Sequence, residues 1–121
     1  MRSLNVLEQQ IVEKLLAGVP ELEKPLRQQL ISARVEHTDD PGVILFHDVN
    51  SSLSVSAPRV PVEAATQPVG RPETINVLLH LREGRLFMLE CYRNDSGCFS
   101  IEDINVDELE VFARAQKKGH Y

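Results

Sequence analysis

The sequence predicts one α+β domain over residues 1–121, with an N-terminal helical hairpin, a mainly antiparallel sheet of about four to six strands and a C-terminal helix. Apolar residues recur every three or four positions early in the chain, alternate with polar residues through the middle, and return to helical spacing after residue 105. The chain has 121 residues, 42% of them hydrophobic and 26% charged. That length and composition are typical of a single globular domain with one core.

Two helices are predicted before residue 34. In the first, Asn5 and Glu8 have the spacing of a capping box, and Gly18 marks the end. In the second, Pro25 would remove a backbone donor and clash with the preceding turn. We therefore predict a turn over residues 20–24 and a helix from residue 25 to residue 33.

From residue 34 the apolar pattern changes to a period of two. Strands are predicted at residues 35–37 and 43–49, joined by a turn over residues 39–42, and a third strand at residues 53–57. Residues 59–72 contain three prolines and no clear period. We expect an irregular loop there, of the kind that is often functional or mobile.

The clearest local signal is a hairpin over residues 74–93, folded at Glu83 and Gly84 in a type I turn with a glycine bulge. The predicted register puts Leu79 opposite Phe87 and leaves apolar residues on both faces. Such a hairpin is expected at the centre of the sheet. One of its faces is a candidate homodimer interface, formed by Leu78, Leu86 and Met88.

A C-terminal helix is predicted from a capping box at Asn105 and Glu108, followed by Leu109 and Phe112 at a spacing that buries one side. Basic residues favour the carboxyl end of a helix, where they face its negative pole. Lys117 and Lys118 fit that position.

Charge and composition exclude several classes of function. The 18 acidic and 13 basic residues give a net charge of −5, which argues against a protein that binds nucleic acid by neutralising phosphates. No run approaches the length of a membrane span, and polar residues interrupt the first 16 positions, so we expect no export signal and a cytoplasmic protein. Two cysteines, Cys91 and Cys98, provide neither a disulfide framework nor a zinc site. No cofactor is expected.

One cluster of ionisable residues has two interpretations. If the strands around residues 39–42 pair as a hairpin, His37 and His47 approach each other, and with Asp48 they suit a small metal-dependent hydrolase. The alternative is that Asp39 and Asp40 bond their own backbone as turn residues and that both histidines are ordinary surface residues. We favour the second interpretation, because no known ligand spacing is present.

The central hairpin carries two further candidates. Cys91 and His80 fall on opposite faces, so a thiol–imidazole pair is not expected and Cys91 is interpreted as a small buried hydrophobe. Glu90 lies on a central strand, where a carboxylate needs a hydrogen-bonding partner, and its predicted neighbour Asn76 offers a structural hydrogen bond. We therefore assign no catalytic and no metal-binding residue.

The segment from Glu83 to Tyr92, with the pattern G-R-L-x-M-L-E-x-Y, resembles a hairpin of small bacterial α+β domains of unknown function. Together with the first helix, the resemblance covers roughly half of the chain. It implies a fold and a bacterial source, and no activity. In size and acidity the chain is also similar to immunity proteins, which neutralise a toxin by binding it.

The leading hypothesis from the sequence is a non-enzymatic protein-binding module, immunity-like, that neutralises a basic partner. An acidic surface attracts such a partner at long range. The candidate contact residues are Asp39, Asp40, Asp48, Glu90 and Glu102.

Overall fold

The computed structural model describes residues 1–113, which form two α-helices and a six-stranded antiparallel sheet. The helices are α1 (Val6–Ala17) and α2 (Pro20–Ser32). The strands are β1 (Arg34–His37), β2 (Val43–His47), β3 (Val62–Thr66), β4 (Ile75–Arg82), β5 (Arg85–Arg93) and β6 (Leu109–Ala113). Short 3₁₀ turns occupy Ser51–Leu53, Ile101–Asp103 and Val106–Glu108. The α+β class and the N-terminal helical hairpin are confirmed.

The strands lie in the order β1-β2-β5-β4-β3-β6, so the β4–β5 hairpin is central, as predicted. Both helices pack on one face of this sheet, and the core lies between the two layers. Ile11, Leu15 and Leu26 from the helices and Val77 and Leu79 from β4 are fully buried there. Within residues 1–113, neither helix combines the length and the apolar character that crossing a bilayer requires.

The start of α1 follows the prediction. The Asn5 side chain accepts a hydrogen bond from the Glu8 backbone at 2.8 Å, and the Glu8 carboxylate accepts one from the Asn5 backbone at 2.9 Å. This reciprocal pair satisfies two backbone donors at the helix start. Gly18 caps the other end.

The start of α2 was predicted five residues too late. Pro20 opens the helix at its first position, where a missing backbone donor costs nothing, and Pro25 lies inside the helix. The prediction gave too much weight to the lost hydrogen bond at Pro25. Leu22 and Leu26 are both buried on the same side of α2, and this burial outweighs one missing backbone bond.

The middle of the chain differs from the prediction in two places. Residues 53–57 form no strand; only the Val55 backbone pairs with the turn of the central hairpin, donating to the Gly84 carbonyl at 3.0 Å. The predicted loop over residues 59–72 instead contains β3, where Val62 and Ala64 are buried between β4 and β6. The prolines of this segment lie outside the strand, so they interrupt no ladder hydrogen bond.

The turn and register of the central hairpin also differ. Glu83 and Gly84 have φ angles of 53° and 76°, which is a two-residue type I′ turn. The pairing shifts by one residue between His80 and Leu81 of β4. The extra residue is Phe87 of β5, which has no partner in the ladder because of this bulge. Beyond the bulge Leu79 pairs with Leu89, two residues from the predicted register.

The predicted C-terminal helix is not observed within the described residues. Asn105 does cap a helical segment, but this is the single 3₁₀ turn Val106–Glu108, and Leu109–Ala113 then form strand β6. β6 pairs along its full length with β3. No local pattern predicts this pairing, because the sequence predicts a loop where β3 lies. Lys117 and Lys118 lie outside the described residues.

Candidate functional site

The sheet face opposite the helices, called the open face, carries side chains that lie outside the core. Within residues 1–113, no helix packs against it. Strand alternation places its members opposite the buried residues. They include Val43, Leu45, Leu78, Phe87, Met88 and Phe112 among the apolar residues, and Glu36, His47, Glu63, His80, Arg82, Glu90 and Glu110 among the polar ones.

Two rows of cross-strand neighbours organise the open face. One row runs across β2, β5, β4, β3 and β6 and alternates apolar and acidic side chains: Val43, Glu90, Leu78, Glu63 and Phe112. The next row runs across β1, β2, β5 and β4: Glu36, Leu45, Met88 and His80. Side chains in such rows are close enough to present one continuous surface.

Two histidine–carboxylate pairs lie on the open face. His80 Nε2 is 2.9 Å from Glu90 Oε1, and His47 Nε2 is 2.9 Å from Glu36 Oε1. An ionised carboxylate only accepts hydrogen bonds, so in each pair Nε2 is the donor. The partner of Glu90 is therefore His80 and not Asn76, which bonds to Asn94. The register error of the sequence prediction hid this pair.

Charge is divided between the two ends of the open face. Glu63, Glu90 and Glu110 lie toward the end where the β1–β2 turn also presents Asp39 and Asp40, and this is called the acidic end. The opposite end, beside the β4–β5 turn, carries Arg34, Arg59 and Arg82 and is called the basic end.

The five contact residues predicted from the sequence do not form one patch. Asp39 and Asp40 are exposed at the β1–β2 turn, where Asp40 accepts a hydrogen bond from the Gly42 backbone at 2.8 Å. Glu90 lies on the open face near them. Asp48 follows the far end of β2 with a φ of 60°, and Glu102 lies in a 3₁₀ turn outside the sheet.

The structure does not bring His37 and His47 together. His37 pairs with Ile44 on the helix-covered face, and its Nε2 is 2.8 Å from Arg2. His47 pairs with Arg34 on the open face. Among residues 1–113, no three His, Cys, Asp or Glu side chains are grouped so as to hold a metal ion.

Glu8 and Cys91, on the covered side, have shifted pKa values. Burial would raise the pKa of Glu8, but hydrogen bonds from Arg2 and the Asn5 backbone, with the charges of Arg2 and His37, hold it below its usual value. Burial, followed by the negative charges of Glu90 and Asp40, raises the pKa of the Cys91 thiol to about 12. A thiol of that kind is not a nucleophile at neutral pH.

The predicted homodimer face changes composition because of the bulge. Leu78 and Met88 lie on the open face, but Leu86 is 3% exposed and belongs to the core. Phe87 replaces Leu86 beside Leu78 and Met88. The Arg82 guanidinium lies over the Phe87 ring, with its Cζ 4.2 Å from the ring centroid.

No family model matches this sequence, and no curated protein and no solved structure matches it either. The open face is therefore characterised by its own geometry: an antiparallel sheet surface on which half-buried apolar and acidic side chains alternate.

Proposed function

We propose that the protein is a non-enzymatic binding module that receives a basic protein partner on the open face. The observation that carries this proposal is the row in which apolar side chains from β2, β4 and β6 alternate with Glu90 and Glu63. Solvated sheet faces normally carry polar residues at such positions. Apolar side chains flanked by carboxylates suit a partner surface whose apolar groups are surrounded by Lys and Arg.

Charge supports the same partner chemistry. The chain carries a net charge of −5, and Asp39 extends the acidic end beyond the sheet. Such a surface speeds encounter with a basic protein and discriminates against acidic ones. Covering and neutralising a basic partner, as immunity proteins do with toxins, is the function that this chemistry suits best.

The proposal is tested by capturing a partner from a lysate with the wild-type chain, identifying it and measuring its dissociation constant by calorimetry. Met88→Asp places a charge in the centre of the open face, and we expect it to raise Kd at least about tenfold, equivalent to about 1.4 kcal/mol. Ile31→Asp is the matched control, because Ile31 is 85% exposed on α2, in the helical layer. It should change Kd less than about twofold.

A second arm tests the charge. Asp39→Lys should weaken binding and reduce its dependence on salt, whereas the same reversal at exposed Glu21 on α2 should not. A partner that binds Met88→Asp as tightly as the wild type contradicts the proposal. The proposal is also contradicted if the wild-type chain captures no protein from the lysate that the Met88→Asp variant fails to capture.

A further inference from the structure

Arg59 and Arg82, at the basic end of the open face, lack the carboxylate partner that most described arginines have, and Arg34 shares this property, donating to the Met1 carbonyl at 3.1 Å instead. Five others form ion pairs with carboxylates: Arg2, Arg27, Arg71, Arg85 and Arg93. In the described part of the chain, Arg59 and Arg82 form none, although acidic residues outnumber basic ones. Both side chains are exposed, so water solvates them in the free protein and their guanidinium groups are available to an anionic ligand.

Both arginines line one cavity of about 410 Å³, a volume within the range of small-molecule sites. His80 lies on its wall with them, and Phe87 and Met88 supply an apolar surface. Glu83 also borders the cavity, but its carboxylate is bonded to Arg85 at 3.2 Å, and its side chain is 78% exposed.

Two of the polar side chains that line this cavity, Arg82 and His80, are held in position by their neighbours. The Arg82 guanidinium stacks 4.2 Å from the centroid of the Phe87 ring, which orients its plane. The imidazole of His80 is oriented by Glu90 at 2.9 Å. The backbone of Arg59 is tied to β4, because its carbonyl accepts a hydrogen bond from the Leu81 N–H at 2.6 Å. A ligand would therefore meet an Arg82 guanidinium and a His80 imidazole that need little reordering, and it would order the exposed Arg59 side chain on binding.

We infer that this cavity binds a small oxyanion, a carboxylate or a phosphate, attached to a flat apolar body. The guanidiniums of Arg59 and Arg82 contact the charged group, and Phe87 and Met88 contact the apolar body. Guanidinium groups match both carboxylate and phosphate geometry, so the class of the anion is decided by experiment. The cavity lies on the open face, so a protein partner bound there would cover it, but the site itself needs no partner and is tested in the free protein.

The test uses ¹⁵N-labelled full-length protein without any partner, titrated separately with benzoate, phenyl phosphate and inorganic phosphate. We expect saturable shifts in the resonances of residues around the cavity with at least one aromatic ligand, and weaker binding of inorganic phosphate. Benzoate binding alone would identify a carboxylate site, and phenyl phosphate binding alone a phosphate site. Either result supports the inference.

Variants show whether the two arginines are responsible. Arg59→Gln and Arg82→Gln should each raise the Kd of the aromatic ligand at least about tenfold, as expected for the loss of a charge-assisted contact. Arg34→Gln is the matched control, because Arg34 is exposed on the open face but does not line the cavity. The site would be overturned by shifts that do not saturate, by wild-type affinity in a double variant that combines Arg59→Gln with Arg82→Gln, or by an equal loss of affinity in Arg34→Gln.

Discussion

Gln29 is a buried polar residue whose replacement should destabilise the fold strongly. Its side chain is fully buried on α2 and joins the helix to the central hairpin. Nε2 donates to the Leu53 carbonyl at 2.9 Å and to the Gly84 carbonyl at 3.0 Å, and Oε1 accepts from the Leu86 N–H at 2.9 Å. Leu86 lies next to the bulge, opposite Leu81, and its buried N–H donates to the Gln29 side chain.

Gln29→Leu preserves approximate size and removes all three hydrogen bonds. The Gly84 carbonyl keeps a second donor, the Val55 N–H at 3.0 Å, so two groups lose their partner, on Leu53 and Leu86. At roughly 1–3 kcal/mol for each orphaned buried group, the free energy of unfolding should fall by about 3 kcal/mol. That is a large part of the stability of a domain of this size.

The measurement is urea unfolding followed by circular dichroism, with the midpoint expected to fall at an unchanged slope. Gln28→Leu is the control, because Gln28 is exposed on the same helix and the substitution is identical. If the two variants differ by less than about 0.5 kcal/mol, the hydrogen bonds of Gln29 do not stabilise the fold and the reasoning is refuted.

Three further predictions concern the covered face and the turns. The pKa of Glu8 is lowered in the folded protein, so the stabilisation by its carboxylate is complete above the unfolded pKa of about 4.3 and is lost as the pH falls through the folded pKa. Glu8→Gln should therefore make the free energy of unfolding less dependent on pH between about pH 5 and pH 2. In the native protein at pH 8, iodoacetamide should modify exposed Cys98 and leave Cys91 unmodified, because burial raises the pKa of that thiol to about 12; labelling of Cys91 at a similar rate contradicts this. Gly84→Ala should lower the unfolding midpoint more than Gly70→Ala, although both glycines have positive φ. An added Cβ at Gly84 would lie 2.1 Å from a backbone oxygen, whereas at Gly70 it meets nothing within 4 Å. Equal midpoints would show that backbone conformation alone matters.

The sequence determined those elements whose causes are local. The capping box at Asn5 and Glu8 and the positive-φ turn at Gly84 depend on residues within a few positions of each other. Burial of Cys91 followed from strand alternation, which the two-residue register error left unchanged. For these features, neighbouring side chains contain the whole physical reason.

Other features depend on contacts between distant segments, and the sequence did not reveal them. β3 is a strand because β4 and β6 supply ladder partners on both sides, and its own residues carry only a weak pattern. The same pairing makes Leu109–Ala113 a strand, although its apolar spacing resembles a helix. Propensity is a weak preference that tertiary pairing overrides.

The candidate sites belong to this second group. Strand alternation predicts Phe87 on the same face as buried Cys91 and Leu86 on the opposite face, and a single bulge reverses both. The bulge also sets His80 beside Glu90, while Arg59 reaches the same cavity from more than 20 positions away. The sequence by itself fixed the class of fold, the acidity and the short-range caps, because these follow from composition and nearby residues. Only the tertiary structure decided which charges meet on the open face, because a one-residue shift in strand pairing moves a side chain from one surface of a sheet to the other.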